Sequence, residues 1–138
     1  MAAMPAIPSG ALAAGEGTIE VVVDGLRNST GKIRISLFSS KEGFPGKQEK
    51  AIAVQDLAIE EGRAKGSFAG VPYGVYAVAA IHDENRNGKL DFKWKIIPGE
   101  GYGASKNPES TIGPPAFRKA SFTLKEEEIR LAITMQYW

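Results

Sequence analysis

The stretch Val75-Tyr76-Ala77-Val78-Ala79-Ala80-Ile81-His82 decides how this chain folds. At a period of two, Val75, Ala77, Ala79 and Ile81 fall on one face and Tyr76, Val78 and Ala80 on the other, so both faces are apolar. Such a run predicts a strand covered on both sides, the central strand of a sheet. Val71-Pro72-Tyr73-Gly74 before it supplies the Pro and Gly of a turn.

Working outward, Thr18 to Asp24 sets Ile19, Val21 and Val23 against Glu20, Val22 and Asp24. Lys32 to Phe38 sets Ile33, Ile35 and Leu37 against Lys32, Arg34 and Ser36. Both patterns predict half-buried strands, joined through the polar segment Gly25 to Gly31 as a hairpin. Ser39 to Lys50 reads as a loop in which Phe44-Pro45 tucks a ring against the core. Ala51 to Ile59 fits a strand or a helical turn. Gly62 to Phe68, Arg118 to Leu124 and Glu128 to Tyr137 predict further strands, with Leu90 to Ile97 as a return strand and Lys125 to Glu128 as a turn. Pro98 to Pro115 is a long Gly/Pro/Ser/Asn-rich excursion, of the kind that is functional or mobile. About seven short strands separated by regular turns predict an all-β fold, an antiparallel β-sandwich.

With 138 residues and 14.8 kDa the chain fits one domain with a sizeable core, residues 18–138. A net charge of +1 leaves no electrostatic footprint for nucleic acid. No run reaches the ~18 apolar residues of a membrane-spanning helix, so no transmembrane segment is expected. Without cysteine there are no disulfides or thiolate metal sites, and with His82 as its one histidine no multi-histidine zinc site. Residues 1–17 read either as a disordered tail or as a signal-peptide remnant. Ala11-Leu12-Ala13-Ala14 resembles a small-residue cleavage region but lacks a basic n-region before it. The preferred expectation is export, to the periplasm or outside the cell.

Immediately after the central strand comes Asp83-Glu84-Asn85-Arg86-Asn87-Gly88-Lys89-Leu90-Asp91. Asp83, Asn85, Asn87 and Asp91 place side-chain oxygens at positions one, three, five and nine, Lys89 offers its backbone carbonyl, and Gly88 permits a sharp turn. Hard cations such as Ca²⁺ are wrapped by this spacing. The bidentate acid expected at position twelve is replaced by Trp94, and the loop follows a strand, so it is no EF-hand. Two acids and neutral amides, with Arg86 and Lys89 nearby, imply weak Ca²⁺ binding, Kd on the order of 10⁻⁴–10⁻³ M. Asn87-Gly88 is also a strong hairpin signal, and an ion-free polar hairpin would be spelled much the same way. The cation reading is preferred on the four aligned oxygens.

Several ordered motifs carry a family resemblance. Gly70-Val71-Pro72-Tyr73-Gly74-Val75-Tyr76, His82-Asp83 to Asp91, Ile97-Pro98-Gly99-Glu100-Gly101-Tyr102-Gly103-Ala104-Ser105 and Gly113-Pro114-Pro115-Ala116-Phe117 resemble the bacterial family called domain of unknown function 2141. The likeness runs from about Thr18 to the C-terminus. It implies an exported single-domain β-sandwich, immunoglobulin-like or transthyretin-like, and implies no activity. Phe92-Lys93-Trp94-Lys95 departs from the more polar, Asn-containing segment expected there, which implies weaker or displaced ligation after Asp91.

His82 beside Asp83, with Ser105 downstream, invites an acid–base reading. A relay also needs convergence in space and an oxyanion hole, which adjacency does not supply. His82 is therefore expected to be a partly exposed, hydrogen-bonded structural residue. Trp94 and Tyr102 flank the oxygen-spaced loop with Phe92 and are candidate ligand-binding rings for a glycan or a protein surface; the preferred reading of the strand face shared by Phe92 and Trp94 is that it is core. The expected function is a non-enzymatic, exported binding module with a weak Ca²⁺ loop between strands. The alternatives are a transthyretin-like small-ligand carrier or hydrolase-like domain, and a structural domain without an ion.

Overall fold

The computed structural model describes residues 15–83, 101–108 and 116–137, with strand backbone alone at 92–93 and 97–98. Its strands are β1 (Glu16–Asp24), β2 (Lys32–Phe38), β3 (Ala53–Leu57), β4 (Ala64–Pro72), β5 (Gly74–Asp83), β6 (Phe92–Lys93), β7 (Ile97–Pro98), β8 (Tyr102–Ala104), β9 (Phe122–Leu124) and β10 (Glu128–Thr134). One helical turn, α1 (Phe117–Ala120), precedes β9, and Gln48–Lys50 form a 3₁₀ turn. A three-stranded sheet runs β10-β1-β4, and a five-stranded sheet runs β3-β2-β5-β8 with β9 on the first residues of β5. β6 and β7 pair with each other. The fold is an all-β sandwich.

β5 is the central strand that its doubly apolar sequence predicts. Residues 76 to 83 are all buried, and β5 pairs with β2 on one side and β8 on the other. Tyr76, Val78 and Ala80 face the main core, where Ile33, Ile35 and Leu37 of β2 meet Ile19, Val21 and Val23 of β1. Each of those six side chains is 0 % exposed, and full burial of a Val or Ile contributes about 1.5–3 kcal/mol. The opposite face of β5 is covered too: Ala77 packs with Ala104 and Ala120, and Phe44 and Phe117 close over them. The Phe44 ring meets Phe38 edge-on at 5.3 Å and Phe117 at 5.7 Å. Phe44-Pro45 thus covers the outer face of the sheet, with a cis peptide bond between the two residues.

Two expectations are corrected. β1 and β2 are not a hairpin: β1 pairs with β4 and, in parallel, with β10, while β2 pairs with β3 and β5. Each turns its apolar face to the same core from opposite sheets, and alternation alone does not distinguish that from pairing. The segment from Arg118 to Leu124 is strand only from Phe122, because Phe117–Ala120 make a helical turn too short to carry a 3.6-residue pattern. The ambiguous Ala51 to Ile59 resolves as β3. A two-residue turn at Glu61-Gly62 follows it, both at positive φ, with Glu60 and Arg63 exchanging backbone bonds of 2.8 and 3.0 Å.

Both flanks of the sandwich are sewn shut by side-chain amides. On one flank Gln55 of β3 accepts from the Ser67 N–H of β4 at 3.3 Å and donates to the Ser67 carbonyl at 3.1 Å. This is the two-bond exchange of an antiparallel strand pair. On the other flank Asn107, three residues after β8, donates to the Ala132 carbonyl at 3.0 Å and accepts from the Thr134 N–H at 2.8 Å. That bracket around Ile133 imitates a parallel bridge. The same seam continues at Tyr102 and Gln136, which exchange backbone bonds of 3.0 and 2.8 Å. Glycines admit the close approach: a Cβ on Gly66 would stand 2.5 Å from both Gln55 and Leu57, and one on Gly103 2.6 Å from Ile133.

Candidate functional site

β5 ends at His82 and Asp83, at the end of the sandwich that also carries the 25–31 connection, the Glu60–Arg63 turn and the chain after β10. Side chains alternate along a strand, so His82 points into the core with Val78 and Ala80, while Asp83 lies on the outer face with Ala79 and Ile81.

His82 is 0 % exposed, which corrects the expectation of a partly exposed residue. Its Nε2 lies 2.7 Å from the Thr30 carbonyl and its Nδ1 2.7 Å from the Tyr137 hydroxyl. A carbonyl only accepts, so Nε2 carries a proton and donates to Thr30; in the Nε2–H tautomer Nδ1 accepts from the Tyr137 hydroxyl. The Tyr137 oxygen in turn accepts from the Arg27 N–H at 3.3 Å, and the Arg27 guanidinium lies 4.6 Å over the Tyr137 ring. One imidazole thus ties the end of β5 to the 25–31 connection and to the segment after β10. Gly101 makes room, since a Cβ there would stand 2.2 Å from the Tyr137 ring.

Asp83 is 1 % exposed and stands directly opposite Lys32 in the β2–β5 ladder. Beyond Lys32 lies a charged group on the same face. Asp56 accepts from Lys32 at 3.0 Å and from Arg34 at 2.6 and 3.0 Å, and Arg34 also donates to Gln48 at 2.7 Å. The Arg34 hydrogen bond holds the Asp56 carboxyl below the usual carboxylate range, burial opposing and Lys32 assisting. The bond to Asp56 raises the Arg34 guanidinium above its ordinary value, and the negative charge of Asp83 adds to this against the effect of burial. Asp83 therefore begins the oxygen-spaced segment from a fixed place, next to two cations. Asn85, Asn87, Lys89, Asp91 and Trp94 lie outside the described residues.

Tyr102, one of the candidate ligand-binding rings, is 3 % exposed and packs on Ile81, its partner in the β5–β8 ladder. Its burial has a simple cause: β8 pairs with the most buried strand, and the outer face of that strand is itself covered. Ser105 is equally structural. Its hydroxyl donates to the Ala120 carbonyl at 2.5 Å and accepts from the Val78 N–H at 3.0 Å. Val78 lies four residues before His82, about 13 Å along an extended strand, so Ser105 and His82 do not meet. Tyr76 makes a further tie that sequence reading passed over. Its hydroxyl donates to the Pro72 carbonyl four residues upstream at 2.6 Å, pinning the β4–β5 corner, and burial raises its pKa.

An open cleft of about 1100 Å³ lies beside the Glu60–Arg63 turn, lined by Asp56, Leu57, Ala58, Glu60, Glu61, Arg63 and Lys65. Its walls are mainly charged. Among the described residues no three His, Asp or Glu side chains gather as a metal site, and no helix is long and apolar enough to cross a membrane.

The fold and this loop-bearing end define an all-β sandwich with a pinned end. The chain belongs to the family DUF2141, described as an uncharacterized protein conserved in bacteria, whose model matches residues 21–132. That span includes β2 to β9, the Gln55–Ser67 clasp, Asn107 and the whole oxygen-spaced segment; Thr134 and Tyr137 lie beyond it. Neither a curated protein nor a solved structure matches the chain.

Proposed function

We propose that this protein is a non-enzymatic, exported binding module, periplasmic or secreted, whose 83–91 segment is a weak Ca²⁺ clip shaping a loop face for a glycan or protein surface. The observation that carries the reading is the placement of Asp83. The first donor of the oxygen series sits at the rigid end of the central strand, buried to 1 % exposure. A ligand held by its scaffold loses little freedom on binding. Asn85, Asn87, the Lys89 carbonyl and Asp91 supply the remaining oxygens. Lys32 and Arg34 beside Asp83 oppose the cation electrostatically, which agrees with a site of the weak extracellular class. Trp94, three residues after Asp91, is the ring offered to the partner.

Calorimetric titration of chelator-treated protein with Ca²⁺ tests the clip. The reading expects saturable heat with a Kd on the order of 10⁻⁴–10⁻³ M, lost in Asp83→Asn. No heat and no thermal stabilisation at millimolar Ca²⁺ would leave an ion-free hairpin.

A further inference from the structure

We propose that the cover on the outer face of the five-stranded sheet is a cationic docking surface for a linear acidic polysaccharide, one carrying a carboxylate on successive sugars. Two short segments make this cover, the 39–50 connection and α1, and they meet where the Phe44 and Phe117 rings touch edge-on at 5.7 Å. Three lysines gather on the first segment. The Phe44 N–H donates to the Lys41 carbonyl at 3.2 Å, and the Lys47 N–H to the Gly43 carbonyl at 2.8 Å. A Cβ on Gly43 would stand 3.2 Å from that of Lys47 and 2.5 Å from that of Lys50. On the second segment Arg118 and Lys119 follow Phe117 directly. All five of these cationic residues are exposed.

The net charge of +1 conceals this concentration. Glu42 and Glu49 are the acids of the same two segments, and Lys50 takes Glu42 at 3.6 Å. Among the described residues no ion pair engages Lys41, Lys47, Arg118 or Lys119. Like charges gathered on one surface repel one another, and a chain of opposite charges relieves that repulsion. The kind of partner follows from what the rings are doing. Phe44 and Phe117 are partly buried, engaged with one another and with Ala77, Ala104 and Ala120 beneath them. That leaves no apolar anchor to insert into a bilayer or to fill a pocket in a protein partner. Attraction by spaced charges alone suits a polymer with spaced charges. The surface covers the Phe38–Ala77 end of the β2–β5 ladder, whereas Lys32 and Asp83 form its other end, about 20 Å away along extended strands. It is therefore separate from the 83–91 segment and independent of Ca²⁺.

Sedimentation velocity of the protein mixed with polygalacturonate, in chelator at about 20 mM salt, is the test, with dextran as the uncharged control. The wild type should sediment with polygalacturonate and not with dextran, and the bound fraction should fall steeply as salt rises. Lys41→Glu combined with Lys47→Glu should weaken binding about tenfold or more, and so should Arg118→Glu combined with Lys119→Glu. Both variants change exposed side chains, so their thermal midpoints should stay near that of the wild type. Lys65→Glu alters an exposed cation on β4 of the other sheet and should leave the affinity within about twofold. No binding to polygalacturonate at low salt, or a loss in Lys65→Glu as large as in the double variants, would overturn the proposal. Binding to phosphatidylglycerol vesicles without binding to the polysaccharide would overturn it in favour of a membrane surface.

Discussion

Gln55 presents its side-chain carboxamide to Ser67 as a neighbouring strand presents a peptide group, accepting at 3.3 Å and donating at 3.1 Å. The two sheets are therefore joined at the flank by directed bonds as well as by their common core. Because Ser67 offers one donor and one acceptor, an amide satisfies both and a carboxylate does not. Gln55→Glu keeps the shape but sets a carboxylate oxygen against the Ser67 carbonyl. At neutral pH it should cost about 1–3 kcal/mol, the range for a buried group left unpaired. The folded state favours the neutral acid, raising its folded pKa. The deficit is thus complete above that raised value and shrinks as pH falls towards the ordinary Glu range near ~4.3. Urea unfolding of wild type and variant across pH checks this.

Asp56 works in the opposite direction. Its folded pKa is depressed, first by the Arg34 hydrogen bond. The stability it contributes is present above the ordinary Asp range and lost as pH falls through the lower folded value. With the Asp56 side chain 40 % exposed, solvent screening limits the pair to about 0.5–1 kcal/mol. Asp56→Asn should therefore lie below wild type by that amount at pH 7, and the two denaturation curves should converge in strong acid.

Tyr137→Phe removes the donor to His82 Nδ1 and the acceptor of the Arg27 N–H while leaving a ring in place. It should destabilise by about 1–3 kcal/mol. Nitrogen chemical shifts of the imidazole give a second reading: the wild type should show the Nε2–H tautomer, and the variant should show rapid exchange of that proton as the 25–31 connection loosens.

Gly17→Ala should destabilise by about 1–3 kcal/mol, the usual range for overpacking. Its Cβ would stand 2.4 Å from the Glu126 carbonyl, a backbone atom that no rotamer change moves aside. The position coincides with the register shift between Gly17 and Ile19 against β4. Thermal denaturation checks it, with the solvent-open Gly46→Ala as the mild comparison.

The parts of the fold legible in the sequence are those written in side-chain periodicity. β5 was readable because Tyr76 to Ile81 are apolar on both faces, and β2 because Ile33, Ile35 and Leu37 alternate with polar partners. Pairing was not readable: Ile19, Val21 and Val23 look the same whether β1 lies beside β2 or across the core from it. The clasps were invisible because one Gln in a strand and one Asn in a loop are ordinary until Ser67 and Thr134 are brought alongside. At the loop-bearing end His82 drew notice through its neighbour Asp83. Its true partner, Tyr137, lies 55 residues away, and its burial follows from β5 running to the end of the core. Whether Tyr102 is exposed was not readable for a related reason, since it depends on what covers Ile81.

The spacing of oxygens from Asp83 to Asp91 remains the feature from which function is argued, with Asp83 seated at the end of the most buried strand. A crystal structure grown in millimolar Ca²⁺ tests that account most directly. The account expects the oxygens of Asp83, Asn85, Asn87 and Asp91 and the Lys89 carbonyl to surround one density peak at about 2.3–2.6 Å, the Ca–O range. The same segment closed as an Asn87-Gly88 hairpin, with no ion and the Asp83 carboxylate turned only towards Lys32 and Arg34, would contradict it.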